Sequence, residues 1–154
     1  MKNKHVDLDN ARNDEQRVIM REIIDADHCP FCLENFVKYN NQSFLKETEH
    51  WFITTNKWPY KNTKHHLLIV LKKHKEMLSE LTAVEGAELM EILAFAEEYT
   101  QAPGGGFAMR FGDTDYSAGT VSHLHAQFIV PDINAPGFKP TRFKIGKDKV
   151  KREA

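Results

Sequence analysis

The stretch from His123 to Pro131 constrains the fold of this chain most strongly, because polar and apolar side chains alternate along it. Successive side chains of a β-strand point to opposite faces, so two imidazoles and an amide share one face of the predicted strand. The polar face carries His123, His125 and Gln127, and the apolar face carries Leu124, Ala126 and Phe128. Buried polar groups need hydrogen-bond partners, so the polar face is either a functional site or a solvated surface of the sheet.

The rest of the sequence predicts two longer helices and several short strands. Apolar residues at helical spacing indicate one helix, and a capping box formed by Thr82 and Glu85 begins another. The predicted helices span residues 10–27 and 82–100, and the predicted strands span residues 43–48, 50–55, 66–71, 107–111 and 121–131. Hairpin-length links between the strands favour an α+β fold with a mostly antiparallel sheet flanked by helices.

Composition indicates a single globular domain with a basic C-terminal tail. The chain has 154 residues, of which 41% are hydrophobic and 28% charged, and we expect one domain over residues 1–138. The formal net charge of -1 argues against a protein that is basic throughout and binds nucleic acid. Residues 139–154 hold seven basic and two acidic side chains, and we expect them to form a flexible tail that promotes solubility rather than nucleic-acid contact.

Apolar segments are short throughout the sequence. The longest runs have five residues each, whereas a membrane-spanning helix needs roughly 20. The first 13 residues are polar and lack the apolar stretch of a secretory signal. These features predict a soluble, cytoplasmic protein without a membrane partner.

Cys29 and Cys32 are the two cysteines of the chain, and two residues separate them. In a cytosolic protein this spacing is typical of a metal site or a redox-active pair. No thioredoxin-like succession of strands and helices surrounds the pair, which disfavours the redox interpretation. Two buried cysteines without a metal are a further alternative, because a free cysteine packs like a small apolar residue.

A loop of small and hydroxyl-bearing residues precedes the histidine strand. It includes Gly119, Thr120 and Ser122, and its backbone amides and hydroxyls are suited to hold an anionic group such as a phosphate. The imidazoles that follow can either bind a metal or act as a nucleophile through a neutral ring nitrogen.

Three separated motifs give the chain a resemblance to the histidine-triad (HIT) superfamily. They are Cys29-Pro-Phe-Cys32, His66-Leu-Leu-Ile-Val-Leu-Lys-Lys-His74, and Ala118-Gly119-Thr120 followed by His123-Leu-His125-Ala-Gln127. The resemblance covers most of the chain from Cys29 to Pro131. It implies an antiparallel sheet with flanking helices, usually in a homodimer, and a nucleotide ligand whose α-phosphate faces the histidine strand.

The resemblance also implies roles for single residues. His125 resembles the nucleophile that attacks the α-phosphorus and forms a covalent nucleotidyl-histidine. Thr120 resembles the hydroxyl residue that contacts the phosphate, with the backbone around Gly119 beside it. His66 resembles the strand histidine of the active-site polar cluster, and the alternative is a buried histidine bonded to a backbone carbonyl.

The sequence departs from the family pattern at the third histidine position, which Gln127 occupies. This replacement is found in branches of the superfamily that transfer nucleotidyl groups to sugar phosphates or to phosphate. A glutamine donates hydrogen bonds but cannot protonate a leaving group. The asparagine of the preceding strand has no clear match either, since Arg110 and Gly112 flank its expected place.

Similarity to zinc-carrying members of the superfamily implies a structural zinc site. Cys29 and Cys32 would provide the cysteine pair, and His74 and His123 would complete a tetrahedral set of two cysteines and two histidines. His28 is an alternative ligand, but its position next to Cys29 makes simultaneous binding awkward.

Four aromatic residues near the N-terminal strands have two interpretations. Trp51, Phe52, Trp58 and Tyr60 either form a wall against a nucleotide base or belong to the hydrophobic core.

The sequence therefore predicts an enzyme, a nucleotide hydrolase or nucleotidyltransferase. It would cleave a phosphoanhydride, such as that of a dinucleoside polyphosphate or a nucleoside diphosphate compound, through His125. The alternative is a nucleotide-binding or adaptor protein with the same fold, which Gln127 and the missing asparagine favour. A zinc module that binds RNA through the basic tail is a third hypothesis, but it does not explain the presence of a nucleophile.

Overall fold

A five-stranded antiparallel sheet forms the centre of the computed structural model, which describes residues 2–40 and 42–148. The strands are β1 (Lys46–Glu47), β2 (Trp51–Thr55), β3 (Thr63–Leu71), β4 (Gly106–Met109) and β5 (His125–Pro131), in the spatial order β1-β2-β3-β5-β4. The helices are α1 (Asp14–Ala26), α2 (Leu33–Tyr39), α3 (Ala83–Thr100) and α4 (Thr114–Ser117), with 3-10 turns at Leu8–Asn10 and Leu78–Glu80. The predicted α+β class with an antiparallel sheet is confirmed.

The register between β3 and β5 decides which side chains face the histidines. Val70 lies opposite His125 and Leu68 lies opposite Gln127, so these four side chains share one face of the sheet. The opposite face is covered by α3. The buried core on that side consists of Trp51, Ile53, Leu67, Ile69, Leu71, Ile92, Leu93, Ala96, Leu124, Ala126, Phe128 and Val130.

Helix α3 begins at the predicted capping box. The Thr82 side chain accepts the backbone N–H of Glu85, and the Glu85 carboxylate accepts the backbone N–H of Thr82. The same carboxylate accepts a hydrogen bond from Lys75, while the indole of Trp51 donates to the Glu85 carbonyl. These contacts join the start of α3 to the sheet and to the segment after β3.

Helices α1 and α2 lie on the histidine side of the sheet. Phe36 of α2 packs on Phe52, with ring centroids 4.8 Å apart, and both are buried beside Leu68 and Val70. Helix α1 buries Met20 and Ile23 against the N-terminal segment in a separate apolar cluster with Val6, Leu8 and Ala11. This second layer leaves a cavity between itself and the sheet.

Several elements differ from the sequence prediction. Strand β5 begins at His125 rather than at residue 121, because Ser122 donates its backbone N–H to His5 and His123 turns towards the cysteines. The short helices α2 and α4 were not predicted. Helix α4 lies in a segment whose Gly, Asp and Ser content is typical of loops, and α2 has only seven residues. Among the described residues, no helix is long and apolar enough to cross a membrane.

The segment 132–148 contains neither helix nor strand, yet it is tied to the domain at several points. Arg110 donates two hydrogen bonds to the Lys144 carbonyl, at 2.6 and 3.1 Å. The Lys147 ammonium contacts the carboxylates of Asp7 at 2.8 Å, Asp9 at 3.2 Å and Asp115 at 3.3 Å. The predicted flexibility of residues 139–154 stays a prediction, and residues 149–154 lie outside the described part of the chain.

Candidate nucleotide site and metal centre

A cavity of about 400 Å³ lies between the histidine face of the sheet and the N-terminal layer. His125, Gln127 and Thr120 line one side of it, and Ile19, Met20, Ile23 and Tyr39 line an apolar side. Five basic residues complete its wall: Arg12, Lys57, Arg110, Arg142 and Lys144. Volume and lining are typical of a site for a small polar ligand with an apolar group.

His125 is held in one orientation by its own backbone surroundings. Its Nδ1 donates to the His123 carbonyl at 2.6 Å, so the lone pair of the neutral ring resides on Nε2. The pKa of His125 is lowered to about 4, mainly by burial and to a smaller extent by the positive charges of Arg110 and Arg12, while the hydrogen bond to the His123 carbonyl opposes this effect. The ring is therefore neutral near pH 7 and can act as a nucleophile.

His66 and Gln127 form a hydrogen-bonded pair behind the cavity wall. The backbone N–H of Tyr60 donates to His66 Nδ1 at 2.9 Å, and His66 Nε2 donates to Gln127 Oε1 at 2.5 Å. Asn56 Nδ2 donates to the same oxygen at 3.0 Å. With its oxygen engaged twice, Gln127 has its amide NH₂ group left for a ligand. Burial lowers the pKa of His66 to about 4, so the ring is neutral. Its Nδ1 accepts from Tyr60, and its Nε2–H holds the Gln127 oxygen.

Ala118, Thr120 and Val121 of the loop before β5 line the cavity, whereas Gly119 and Ser122 are not among its lining residues. The Gly119 N–H donates to the Ser117 hydroxyl at 3.1 Å, and the Ser122 N–H donates to the His5 carbonyl at 2.7 Å. Both amides are thus engaged within the protein. Asn10 fixes the loop from the opposite side by donating to the Gly119 carbonyl at 2.8 Å.

The structure brings the four predicted metal ligands together. The Nδ1 atom of His123 lies 3.3 Å from Cys29 Sγ, 3.8 Å from Cys32 Sγ and 3.2 Å from His74 Nδ1. The distance from Cys32 Sγ to His74 Nδ1 is 3.6 Å, and all four ligand atoms lie within 4.8 Å of one another. A tetrahedral zinc ion with ordinary bond lengths separates its ligands by about 3.3 Å for two nitrogens and about 3.6 Å for nitrogen and sulfur. The cluster therefore fits tetrahedral zinc.

The second nitrogen of each histidine in this cluster has its own partner. His123 Nε2 donates to the Leu71 carbonyl at 2.6 Å, and His74 Nε2 lies 3.2 Å from a carboxylate oxygen of Glu76. These contacts place the proton on Nε2 and leave the Nδ1 lone pair directed at the cysteines, as is usual for histidines that bind zinc. His28, the alternative ligand, instead stacks on Tyr39 with ring centroids 5.4 Å apart.

The thiols are protonated when no metal is bound. Burial raises the pKa of Cys29, and burial together with the neighbouring Cys29 raises the pKa of Cys32 to about 12. Since zinc binds thiolates, metal binding would release these protons. The pair is free rather than disulfide-bonded, which agrees with a ligand role.

The four aromatic residues divide between the two interpretations. Trp51 and Phe52 are fully buried in the cores on either side of the sheet. Trp58 and Tyr60 line the cavity. The proline between these two residues ends the sheet locally, which explains why the second pair is available to a ligand.

Sequence reasoning missed three residues of the site, and two of them carry no signal in a single sequence. Asn10 and Arg12 reach the cavity from the N-terminal segment, whose position on the sheet depends on tertiary packing. Asn56 was within reach of prediction, because pairing Thr55 with Leu67 places the next residue beside His66.

No family model and no curated protein matches the chain. Among solved structures, a hypothetical protein from Leishmania major is 23% identical with a TM-score of 0.59, covering 80% of this chain and 84% of that chain. A zinc-bound histidine triad family protein from Mycobacterium smegmatis is 22% identical with a TM-score of 0.53, covering 83% of this chain and 88% of that chain.

A third structure is more similar in sequence than these two. A hypothetical histidine triad nucleotide-binding protein from Sulfolobus tokodaii strain7 is 26% identical with a TM-score of 0.53, covering 81% of this chain and 85% of that chain. By its fold and by the order of its histidine motifs, the chain belongs to the HIT-like superfamily.

Proposed function

We propose that this protein is a nucleotide hydrolase or nucleotidyltransferase that works through a covalent nucleotidyl-histidine at His125. The observation that carries the proposal is the orientation of this ring, whose Nδ1 is bound to the His123 carbonyl while the ring itself lines a cavity. The similar proteins add support, because one described as nucleotide-binding has the same fold at 26% identity.

The first chemical step forms a bond from His125 Nε2 to the α-phosphorus of the substrate. The bond from that phosphorus to the bridging oxygen breaks, and the leaving phosphate chain takes the electron pair. The imidazole becomes positively charged as the new bond forms. Its Nδ1–H remains hydrogen-bonded to the His123 carbonyl, whose partial negative charge stabilises this cation.

The second step restores the enzyme. Water or phosphate attacks the same phosphorus, the bond to His125 Nε2 breaks, and the electron pair returns to the ring. Attack by water gives a nucleoside monophosphate, and attack by phosphate gives a nucleoside diphosphate. Thr120, which lines the cavity, would contact the transferred phosphate in both steps, and the Gln127 amide would donate to one of its oxygens.

We further propose that the cluster of Cys29, Cys32, His74 and His123 holds a structural zinc ion. All four coordination positions would be occupied by protein, which is characteristic of structural rather than catalytic zinc. The ion would join the turn between α1 and α2 to the residue two positions before the nucleophile. The zinc-bound protein from Mycobacterium smegmatis, which shares the fold, supports this assignment.

The test of the activity is turnover of a dinucleoside polyphosphate, with and without inorganic phosphate, by the wild type and by His125→Asn. We expect nucleotide release by the wild type and a loss of at least about 10³-fold in the variant, because the nucleophile is removed. The product reveals whether water or phosphate is the acceptor. Tight nucleotide binding without turnover above that of the variant would instead establish the nucleotide-binding or adaptor alternative.

We also propose that the protein is a homodimer, as the superfamily resemblance implies. Helix α3 exposes three large apolar side chains, Val84, Met90 and Tyr99, each more than half exposed. Exposed apolar side chains such as these are available to a partner subunit, and a shared interface would bury them. Light scattering at micromolar concentration should give twice the mass of the chain. A mass of one chain would reject the proposal.

A further inference from the structure

The charges around the cavity are strongly one-sided. Five basic residues line it, and the described lining residues include no aspartate or glutamate. Lys144 is partly neutralised by Asp148, at 2.8 Å. Neither Arg12, Arg110 nor Arg142 forms an ion pair within the described chain. Like charges that surround a common space repel one another, so this arrangement lowers stability unless a polyanion occupies the space.

Two of these guanidinium groups are gathered around one aromatic ring. Arg12 lies over the Tyr60 ring, 4.5 Å from its centroid, and donates to the Trp58 carbonyl. Arg110 donates to the Tyr60 hydroxyl at 3.1 Å. Tyr60 is also directly beside His66, with ring centroids 4.5 Å apart. The guanidinium groups are thus fixed next to the histidine and glutamine pair without a carboxylate between them.

Arg142 reaches the same cavity from the C-terminal segment, which is anchored on both sides of it. Phe143 lies under the Arg110 guanidinium at 3.9 Å, and Arg110 binds the Lys144 carbonyl. Lys147 follows, with its side chain only 3% exposed and bound to three carboxylates. Within this segment, Lys147 holds the fold and is paired with carboxylates, whereas Arg142 faces the cavity and forms no ion pair with the described residues.

We propose that Arg12, Arg110 and Arg142 form a subsite for the phosphate chain of the leaving group, and that this subsite selects substrates whose leaving group carries several negative charges. The inference rests on the proposed function and deepens it by assigning the side of the cavity that binds the departing polyphosphate. Planar guanidinium groups bind phosphate oxygens through paired hydrogen bonds, which suits them to this role. Residues from segments at both ends of the chain thereby determine specificity for chemistry performed at His125.

Binding of inorganic tripolyphosphate tests the subsite without requiring any turnover. Calorimetric titration of the zinc-loaded protein compares the wild type with Arg12→Gln, Arg142→Gln and Arg21→Gln. Arg21 is exposed on α1 and does not line the cavity, so its variant is the matched control for loss of one positive charge. Arg110 is not used in this comparison, since its replacement would also release the Lys144 carbonyl.

We expect the first two variants to bind tripolyphosphate at least about tenfold more weakly than the wild type, as for the loss of a charge-assisted hydrogen bond. The control should bind as the wild type does. Absence of binding to the wild type, or equal weakening in all three variants, would overturn the proposal. Thermal melting of each variant excludes a loss of folding as the cause.

Kinetics separates this inference from the proposed function. Two substrates that donate the same nucleotide are compared, a dinucleoside polyphosphate and a nucleoside p-nitrophenyl phosphate whose leaving group carries a single charge. Arg12→Gln and Arg142→Gln should lower the ratio of the two kcat/KM values by at least about tenfold. An unchanged ratio with active enzyme contradicts the subsite alone. No turnover of either substrate, with tripolyphosphate binding intact, contradicts the proposed function alone.

Discussion

At the scale of single side chains, the tautomer of each site histidine is set by the partner of one ring nitrogen. His125 donates from Nδ1 to a backbone carbonyl, while His123 donates from Nε2 to another. The two rings are two residues apart in the sequence, yet they present opposite nitrogens. His125 therefore directs Nε2 at the cavity, as the proposed nucleophile requires. His123 directs Nδ1 at the cysteines, as a metal ligand requires.

Gln127 leads to a prediction about leaving groups. A polyphosphate departs as a stable anion and needs little protonation, whereas an amine leaving a nucleoside phosphoramidate needs an acid, which glutamine cannot provide. His66 cannot replace it, because its Nε2 proton is bound to Gln127 and its Nδ1 accepts from Tyr60. We expect the wild type to cleave dinucleoside polyphosphates much faster than amine-linked adenylates.

The matching variant is Gln127→His. It should raise the rate on amine-linked substrates selectively, by up to the 10²- to 10⁴-fold that general acid catalysis typically contributes, about 3 to 5 kcal/mol. Steady-state kinetics on both substrate classes measures this effect. Equal wild-type rates on the two classes, with no selective gain in the variant, would show that another group protonates the leaving atom.

At the scale of elements, the central pair of strands was predictable and its surroundings were only partly so. The alternation from His123 to Phe128 and the apolar run after His66 identify β5 and β3, because side-chain direction in a strand follows from spacing alone. Helix α1 lies within its predicted range. Val18 is one of the apolar residues at helical spacing that predicted it, yet its side chain is 59% exposed, whereas Met20 is buried. The sequence indicates a helix without showing which neighbour it packs against.

The zinc cluster connects three segments, so its removal should affect stability more than chemistry. Protein purified without added metal should contain about one zinc ion per chain, and Cys29→Ser should abolish binding and lower Tm. Elemental analysis and thermal melting measure the two effects. Ser117→Ala provides a control that removes one buried hydroxyl outside the cluster. Metal-free wild-type protein with an unchanged Tm in Cys29→Ser would contradict the assignment.

At the scale of the whole molecule, an N-terminal segment and a C-terminal segment of the described chain are joined by the contact between Asp7 and Lys147. Asp7 has no exposed surface, and its carboxylate accepts hydrogen bonds from Thr114 and Lys147. Burial acts to lower the pKa of Lys147, but the hydrogen bonds to Asp7 and Asp9 outweigh it and raise the pKa above its ordinary value. Judged by composition alone, residues 139–154 form a basic tail. The carboxylates that fix Lys147 come from residues 7, 9 and 115, which no local pattern connects.

Lys147→Ala should destabilise the protein substantially, because it leaves the buried carboxylate of Asp7 without its cation. Breaking a buried ion pair from one side costs about 3 kcal/mol or more, which corresponds to a fall in Tm of about 6 to 12 °C for a domain of this size. Differential scanning calorimetry measures the change. The control is Lys139→Ala, which removes an exposed cation of the same segment and should leave Tm within about 2 °C of the wild type.

The covalent nucleotide on His125 is the most direct test of the account. Zinc-loaded wild type, His125→Ala and His65→Ala are mixed with a dinucleoside polyphosphate and quenched in alkali, which preserves a phosphoramidate. His65 lies next to His66 on β3 and does not line the cavity, so its variant controls for removal of a histidine. Intact-protein mass spectrometry should show a nucleotidyl adduct on the wild type and on His65→Ala, mapped to His125, and none on His125→Ala. Turnover of the substrate without any adduct, or an adduct that persists in His125→Ala, would contradict the account.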